Sequence, residues 1–405
     1  MCRRRSSYTF KDDDLSVKYG TTTLCFNRHI IIILRLFSIF GIDITVSTKV
    51  SRSKLSKMAK VLHRWVISIL MCYCLAARLY KASRPNVPLM LSFSESVATA
   101  SSVVIRFSIL FNKFSIVKII RSLMKTPLES TRTPHSSYIK MERFFFGFVL
   151  GGIALTFCLS MTKALSELKS TKGFQTYKNA YLFTANASNQ TFGSTIVVAF
   201  VWTSHLLYIA NLYGVPGLAL LLCCTVCQTV TFLLLDFSNR VKESCHADEI
   251  QQNFTRNAIF YLRKMRFLVR GTESALSPIL FFLYSYLLCS LFYLVSLTIR
   301  GKLRLDDVKI TYIGASFATL VIFYLLLSIK VARVHESVNQ MHDAILQTSG
   351  KTLSSADMTA LLTSAREFTR NTNITGWGVF VIDRSFLLTS VGMIISYGVI
   401  LAQFG

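Results

Sequence analysis

The stretch that decides the fold is GWGVFVIDRSFLLTSVGMIISYGVILAQFG at residues 376–405, whose last twenty residues carry no charged side chain. At a rise of about 1.5 Å per residue, a helix of this length crosses a hydrocarbon core of ~30 Å. Ser396, Ile400 and Gln403 recur at helical spacing, so they share one face of that helix. A narrow polar stripe on a membrane helix either packs against other helices or lines water.

The same ending resembles the C-terminal signature of insect gustatory receptors, which is Thr-Tyr, five hydrophobic residues and Gln-Phe. Here Ser396 stands in place of the Thr, while Tyr397, Gln403 and Phe404 match. The upstream residues that look like the family's entry into its last helix are Gly378, Phe380, Ile382 and Asp383. The resemblance implies a seven-span chemoreceptor ion channel.

Composition independently indicates a membrane protein. The chain has 405 residues, of which 52% are hydrophobic and only 16% charged, and its mean hydropathy is +0.47. Soluble domains carry about 25% charged residues. The net charge of +25 comes from basic residues in the loops between apolar segments, which is a membrane-orientation signature. We therefore expect a lipid bilayer as partner and no nucleic acid.

No pattern in the sequence predicts catalysis. A phosphate-binding Gly-rich loop, a zinc motif and a nucleophile elbow are all missing from the sequence. Cys223, Cys224 and Cys227 stand inside an apolar run without nearby His or acidic residues, which favours packing over a metal or redox site. The expectation is a protein that is not an enzyme and needs no cofactor or metal.

Hydropathy predicts an all-α membrane protein with seven transmembrane helices and extended cytoplasmic helices. The predicted regions are a cytoplasmic N-terminus with a re-entrant or surface helix at 1–60, spans 1–4 at 61–235 with an extracellular loop at 162–192, a cytoplasmic helical loop at 236–275, spans 5–6 at 276–329, a cytoplasmic anchor segment at 330–375 and span 7 at 376–405. Residues 193–235 are long enough for two spans, and Gly214 to Gly217 could separate those spans. We predict one long, kinked crossing, which keeps the following basic loop inside.

The resulting topology has the N-terminus inside and the C-terminus outside, opposite to that of G-protein-coupled receptors. It places the sequons at Asn186 and Asn189 outside, where they can be glycosylated. It leaves two further sequons, at Asn253 and Asn373, inside. The tight basic connection after span 5 opposes this assignment, but the larger basic loops favour it.

Two apolar stripes of heptad type mark the predicted inner helices. One consists of Val331, Val334, Val338, Met341 and Ile345, and the other of Phe254, Ala258, Leu262, Met265 and Val269. Such stripes suit either the packing of helices within one chain or an anchor that joins subunits. The resemblance favours the tetrameric anchor of insect chemoreceptor channels, formed with identical or other gustatory receptor subunits.

The resemblance also implies a mechanism in which four copies of the last helix surround a pore. Ile400, Gln403 and Phe404 then lie at the extracellular gate, with Ser396 one turn deeper. An apolar ring can stop ions by dewetting, whereas a polar ring supports hydrated cations. Because the sequence places no acidic ring there, we expect a weakly selective cation channel.

A ligand pocket is implied among the outer halves of spans 2–6. The candidates there are Phe93, Glu95, Phe157, Trp202, His205, Tyr208, Tyr286, Phe292, Tyr293, Tyr312 and Phe317. Any one of them could simply pack between helices, and among them Trp202 is favoured over Glu95 and His205. Aromatic rings with few polar groups suit a small organic tastant, and they favour a bitter-type compound over a sugar.

The functional hypothesis is a gustatory receptor in the plasma membrane of sensory neurons. The alternatives are a secondary transporter and a metabotropic seven-helix receptor. A transporter should show internal repeats with paired helix interruptions, whereas only Gly214 to Gly217 interrupt a span here. The charge distribution opposes the metabotropic receptor.

Overall fold

The structure, a computed structural model, describes residues 21–44, 54–82, 89–126, 136–183, 195–244, 251–299, 307–349, 355–369 and 374–404. Their elements are α1 Thr21–Ile39, α2 Lys54–Ala82, α3 Leu89–Phe111, α4 Lys113–Lys125, α5 Ser136–Lys169, α6 Thr171–Tyr181, α7 Thr195–Ser244, α8 Gln251–Ile299, α9 Asp307–Ser349, α10 Ser355–Thr369, β1 Thr375–Gly376, β2 Phe380–Val381 and α11 Arg384–Phe404. The fold is all-helical apart from one two-stranded hairpin among these residues.

Seven of these helices account for the apolar character of the chain. In the described residues, α2, α3, α5, α7, α8 and α9 each contain an apolar segment long enough to cross a membrane, and α11 contains a shorter one at Arg384–Ile400. The protein is therefore a multi-pass membrane protein with seven membrane helices, as hydropathy predicts.

Three helices are much longer than a bilayer requires. α7 has 50 residues, α8 has 49 and α9 has 43. At 1.5 Å per residue they measure about 75, 74 and 65 Å, roughly twice the ~30 Å of the hydrocarbon core. Their ends must project beyond the membrane.

The interrupted region of the sequence forms one continuous helix. Pro216 lies inside α7, where its ring removes a backbone donor and disturbs the preceding turn. Two glycines beside it permit close packing. A Cβ on Gly214 would lie 2.4 Å from the Phe40 ring, and one on Gly217 would lie 3.0 Å from Ile153.

The projecting end of the bundle is closed by contacts within one chain. All five residues of the stripe on α9, from Val331 to Ile345, are at most 1% exposed. The described part of the second stripe, from Ala258 to Val269 on α8, is buried as well. α10 packs against both helices. The heptad pattern is thus used inside the subunit, and any contact between subunits must use other surfaces.

Two further helices attach to this framework. α1 packs mainly against α7 and buries Ile30, Ile33 and Phe37 completely. The amphipathic helix α4 buries its apolar face, centred on Ile119 and Ile120, against α8. The N-terminal helix is therefore part of the core of the subunit.

The hairpin β1–β2 sets the start of the last helix. Gly378 has a φ of +70°, a conformation that glycine adopts without strain. The Phe380 ring stacks on Phe386, with centroids 4.5 Å apart. The backbone N–H of Phe386 donates to the carboxylate of Asp383 at 2.7 Å, so Asp383 is the N-cap of α11. Three residues of the sequence motif thus have defined structural roles.

The Gly214–Phe40 contact gives a stability prediction. Gly214→Ala should destabilise the protein by about 1–3 kcal/mol, because the new methyl group overlaps the Phe40 ring. Gly314→Ala is the matched control, since a Cβ at Gly314 meets nothing within 4 Å. Melting temperatures of the purified variants measure the difference, and Phe40→Leu should restore part of the loss. Equal melting temperatures for both glycine variants would contradict the packing.

Candidate functional site

A cavity of about 170 Å³ lies at one end of the helix bundle. Its wall comes from the ends of α2, α5 and α8, the beginnings of α3, α7 and α9, and one residue of α6. The polar side chains on this wall are Arg78, Glu95, Thr99, Thr156, Ser160, Lys163, Glu167, Tyr177, His205, Tyr208, Tyr213, Tyr286, Ser290, Tyr293, Tyr312 and Ser316. The antiparallel helices thus gather residues from most of the chain.

Arg78 forms the central electrostatic contact of the cavity. Its Nη1 lies 2.9 Å from Glu95 Oε1. Its guanidinium carbon lies 4.6 Å from the centre of the Tyr208 ring and 5.2 Å from that of Tyr177. A buried cation is tolerated only when charge and hydrogen-bonding partners compensate its desolvation. The carboxylate and the two aromatic faces provide that compensation.

A second charge pair lies at the end of α5. Lys163 Nζ is 3.9 Å from Glu167 Oε1 and 4.6 Å from the centre of the Tyr312 ring. The Tyr177 hydroxyl donates to Glu167 Oε2. Burial raises the pKa of Tyr177, and the nearby Arg78 only partly opposes this. The phenol therefore stays protonated at neutral pH and remains a donor.

Hydroxyl groups connect the remaining wall. The hydroxyls of Tyr213 and Tyr312 lie 3.0 Å apart, and those of Thr99 and Tyr208 lie 2.8 Å apart. Ser316 is 4% exposed, and its Oγ has no partner among the described residues. The cavity thus presents hydrogen-bonding groups and aromatic rings beside an aliphatic part of the wall, which includes Ile153, Leu283 and Leu320.

The structure separates the eleven predicted ligand residues into two groups. Those that line the cavity are Glu95, His205, Tyr208, Tyr286, Tyr293 and Tyr312. Those that lie elsewhere are Phe93, Phe157, Trp202, Phe292 and Phe317. Every tyrosine of the prediction falls inside, and every phenylalanine and the tryptophan fall outside. The favoured candidate Trp202 lies behind the wall, in an apolar cluster that also contains Tyr177 and Tyr208.

The residues outside the cavity have other surroundings. Phe93 is 64% exposed on α3, a position that suits contact with lipid. Phe317 borders a second, more apolar pocket between the end of α8 and the beginning of α9. Phe292 packs on the Tyr397 ring, with centroids 4.6 Å apart. Aromatic residues in membrane spans thus take up several roles that hydropathy cannot separate.

Sequence reasoning missed several wall residues, notably Arg78, Lys163, Glu167, Tyr177 and Tyr213. For two pairs a signal was present. Arg78 ends one span and Glu95 begins the next, so a tight hairpin between them puts both charges at one depth. Lys163 and Glu167 stand four residues apart, which is the spacing of a helical ion pair. Tyr177 gives no such signal, because its place depends on how α6 folds back.

α11 presents a second feature of interest. Its packed face contacts α8 and α9. On the exposed face, a sector of about 60° on a 3.6-residue helix contains Ser385, Thr389, Gly392, Ser396 and Gln403, all exposed. Apolar residues flank this line, and the predicted gate residue Ile400 is among them, at 52% exposure. The side chain of Phe404 lies outside the described residues.

Tyr397 joins α11 to the helix that forms part of the cavity wall. Its ring packs on Phe292, and its hydroxyl lies 3.3 Å from Ser296 Oγ. The next residue after Phe292 is Tyr293, which lines the cavity. α8 therefore contacts the cavity on one side and the last helix on the other.

The remaining sequence features are the two sequons of the predicted extracellular loop and the cysteine cluster. Asn186 and Asn189 lie outside the described residues. Cys223, Cys224 and Cys227 are buried free thiols. No group of three His, Cys, Asp or Glu side chains that could hold a metal occurs in the part of the chain that the structure describes.

Comparisons with known proteins place the fold. Neither protein-family models nor curated protein sequences match the chain. Among solved structures, the insect olfactory receptor OR5 from Machilis hrabei in complex with eugenol is similar, with a TM-score of 0.73 and 12% identity over 95% of this chain and 100% of that one. A further structure of the same receptor gives 0.71 and 13% over the same shares. The chain has the insect olfactory receptor fold.

The Arg78–Glu95 pair predicts a stability difference. Arg78→Met should cost roughly 3 kcal/mol, since it leaves the Glu95 carboxylate without its cation. The double variant Arg78→Met/Glu95→Gln should recover part of this loss, because neither charge remains. The control is Arg384→Met, which breaks a highly exposed pair with Glu336 worth at most ~1 kcal/mol. Melting temperatures test the order, and a double variant no more stable than the single one would contradict it.

Proposed function

We propose that the chain is an insect chemoreceptor of the gustatory type, which acts as a ligand-gated cation channel and has no enzymatic activity. The polar line on the exposed face of α11 carries the proposal. The fold shared with an olfactory receptor and the C-terminal signature support it. In this proposal the cavity receives a small organic ligand, as the olfactory receptor of similar fold receives eugenol.

The polar line argues for a water-filled path. A helix face turned to hydrocarbon carries its most apolar residues at the centre, because polar groups there lack partners. α11 has the reverse order, with Ser396, Gln403 and Gly392 at the centre and Ile395 and Met393 at the edges. Several copies of α11 around a common axis would place this line against water.

The ions follow from the same face. Hydroxyl and amide oxygens support hydrated cations, while the apolar Ile400 beside them can narrow and dry the path. In the described residues, this face carries no carboxylate. We therefore propose weak selectivity among cations and a gate near Ile400, Gln403 and Phe404.

The contact between α8 and α11 supports a coupling route. A ligand against Tyr293 acts on the same turn of α8 that holds Tyr397 through Phe292 and Ser296. A shift or rotation of this turn changes the position of α11 relative to α8. The ligand opens the channel to the extent that it binds the open state more tightly than the closed one.

The assembly in this proposal is a tetramer of identical or mixed gustatory receptor subunits in the plasma membrane of sensory neurons. The N-terminus is inside and the C-terminus outside. This orientation puts the cavity near the outer surface, because the α2–α3 connection is then extracellular. It also puts the bundle of α8, α9 and α10 in the cytoplasm, where it serves as the anchor.

The orientation predicts which sequons carry glycan. Asn186→Gln and Asn189→Gln, together, should remove the glycan from protein expressed in insect cells, because both residues lie in the proposed extracellular loop. Asn253→Gln serves as the control and should change nothing. Electrophoretic mobility before and after enzymatic deglycosylation measures the outcome. A glycan on Asn253 would show that this residue is extracellular and that the proposed topology is wrong.

The pore assignment predicts altered conduction without loss of assembly. Gln403→Leu should change single-channel conductance and cation permeability ratios, because it replaces an amide on the polar line with an apolar group. Met393→Leu is the control, since it exchanges similar apolar side chains at the edge of the same face. Patch-clamp recording at matched surface expression provides the measurement. Unaltered conduction in Gln403→Leu would show that α11 does not line the pore.

A further inference from the structure

We propose that the cavity binds a small, uncharged, polyhydroxylated compound of monosaccharide size. This inference rests on the proposed function only in taking the cavity as the ligand site. It departs from the bitter-type compound that the aromatic residues of the sequence favour, because the structure selects only some of those residues.

The first argument is the chemistry of the aromatic side chains. The cavity wall contains six tyrosines and only one phenylalanine, Phe323. The phenylalanine candidates, whose rings carry no polar group, lie outside it. Tyrosine rings offer flat apolar faces for the C–H groups of a sugar ring or a cyclic polyol, and their hydroxyls donate and accept hydrogen bonds.

The second argument is charge. Arg78 is paired with Glu95, and Lys163 lies beside Glu167, so two cations and two anions of the wall balance. A charged ligand would have to displace one member of a pair and leave the other uncompensated. A neutral hydroxyl can instead donate a hydrogen bond to a carboxylate while that carboxylate keeps its cation. Such a hydrogen bond is stronger than one between two neutral groups.

The third argument is the cost of an apolar occupant. Polar atoms of the wall that do not bond one another need water as a partner when no ligand is bound. A ligand that expels this water without replacing its hydrogen bonds loses affinity. Sites built to hydrogen-bond a hydroxyl therefore strongly reject analogues that lack it. Ser316, whose buried Oγ has no partner among the described residues, adds one more group to satisfy.

The fourth argument is size. The cavity volume of about 170 Å³ is below the ~300–1,000 Å³ of pockets for drug-sized ligands. A single six-membered ring with its hydroxyls suits this volume better than a disaccharide. The tyrosines, the paired charges, the hydrogen-bonding groups and the volume thus favour the same class of ligand.

The experiment measures binding to the purified full chain in lipid nanodiscs, so it does not depend on channel activity. The neutral probes are D-glucose, D-fructose, D-galactose and myo-inositol. The charged probes are D-gluconate and D-glucosamine, and the apolar probe is eugenol. Thermal stabilisation at increasing probe concentration gives each Kd. At least one neutral probe should bind saturably, and at least tenfold more tightly than the charged and apolar probes.

Single hydroxyl deletions locate the binding. Tyr293→Phe removes one hydroxyl from the wall and keeps the ring, and it should raise the Kd of the neutral probe about fivefold. Tyr261→Phe makes the same change on α8 away from the cavity, where the ring packs on Phe237, and it should leave the Kd unchanged. Melting temperatures without ligand show whether either variant is misfolded.

The outcomes separate this inference from the proposed function. Binding of a neutral probe without any evoked current supports the ligand class and counts against the channel. Tighter binding of eugenol or of a charged probe, or no binding of any neutral probe, overturns the ligand class whatever the currents show. An equal Kd in Tyr293→Phe and the wild type places the binding outside this cavity and also overturns the inference.

Discussion

In a hydrocarbon solvent, every polar group must find a partner within the protein or face water, and this constraint governs both sites of the molecule. It explains why Arg78 lies between a carboxylate and two tyrosine rings. It also explains why a line of Ser, Thr and Gln on an exposed face of α11 is informative. The same side chains on a soluble helix would indicate only contact with solvent.

Much of the fold follows from the sequence, because a helix satisfies the backbone hydrogen bonds of a membrane span within one segment. Hydropathy alone locates the seven membrane helices, and the charge pattern allows the run interrupted at Pro216 to be assigned to one helix, as the structure has it. The packing partners do not follow. The heptad stripe from Val331 to Ile345 is equally suited to a neighbouring helix of the same chain or of another. Only tertiary structure shows that α8 and α10 lie beside α9.

The candidate site is less predictable, since the cavity wall is assembled from residues of seven helices. Aromatic content identified Tyr208, Tyr286 and Tyr293, but it gave the same weight to Phe93, which faces outward. Charge was undervalued. Arg78 is absent from the sequence candidates and Glu95 is disfavoured among them, whereas the structure pairs the two side chains in the cavity wall. The relevant information was in their relative depth, which follows from the position of Arg78 at the end of one span and of Glu95 at the start of the next.

The burial of the α9 stripe inside one chain has a consequence for biogenesis. Since α7, α8 and α10 pack against α9 and the stripe is buried, a newly made subunit can complete this bundle without a neighbour and need not expose that surface to chaperones. In the assembly proposed above, joining of subunits would then be a separate, later step between finished units.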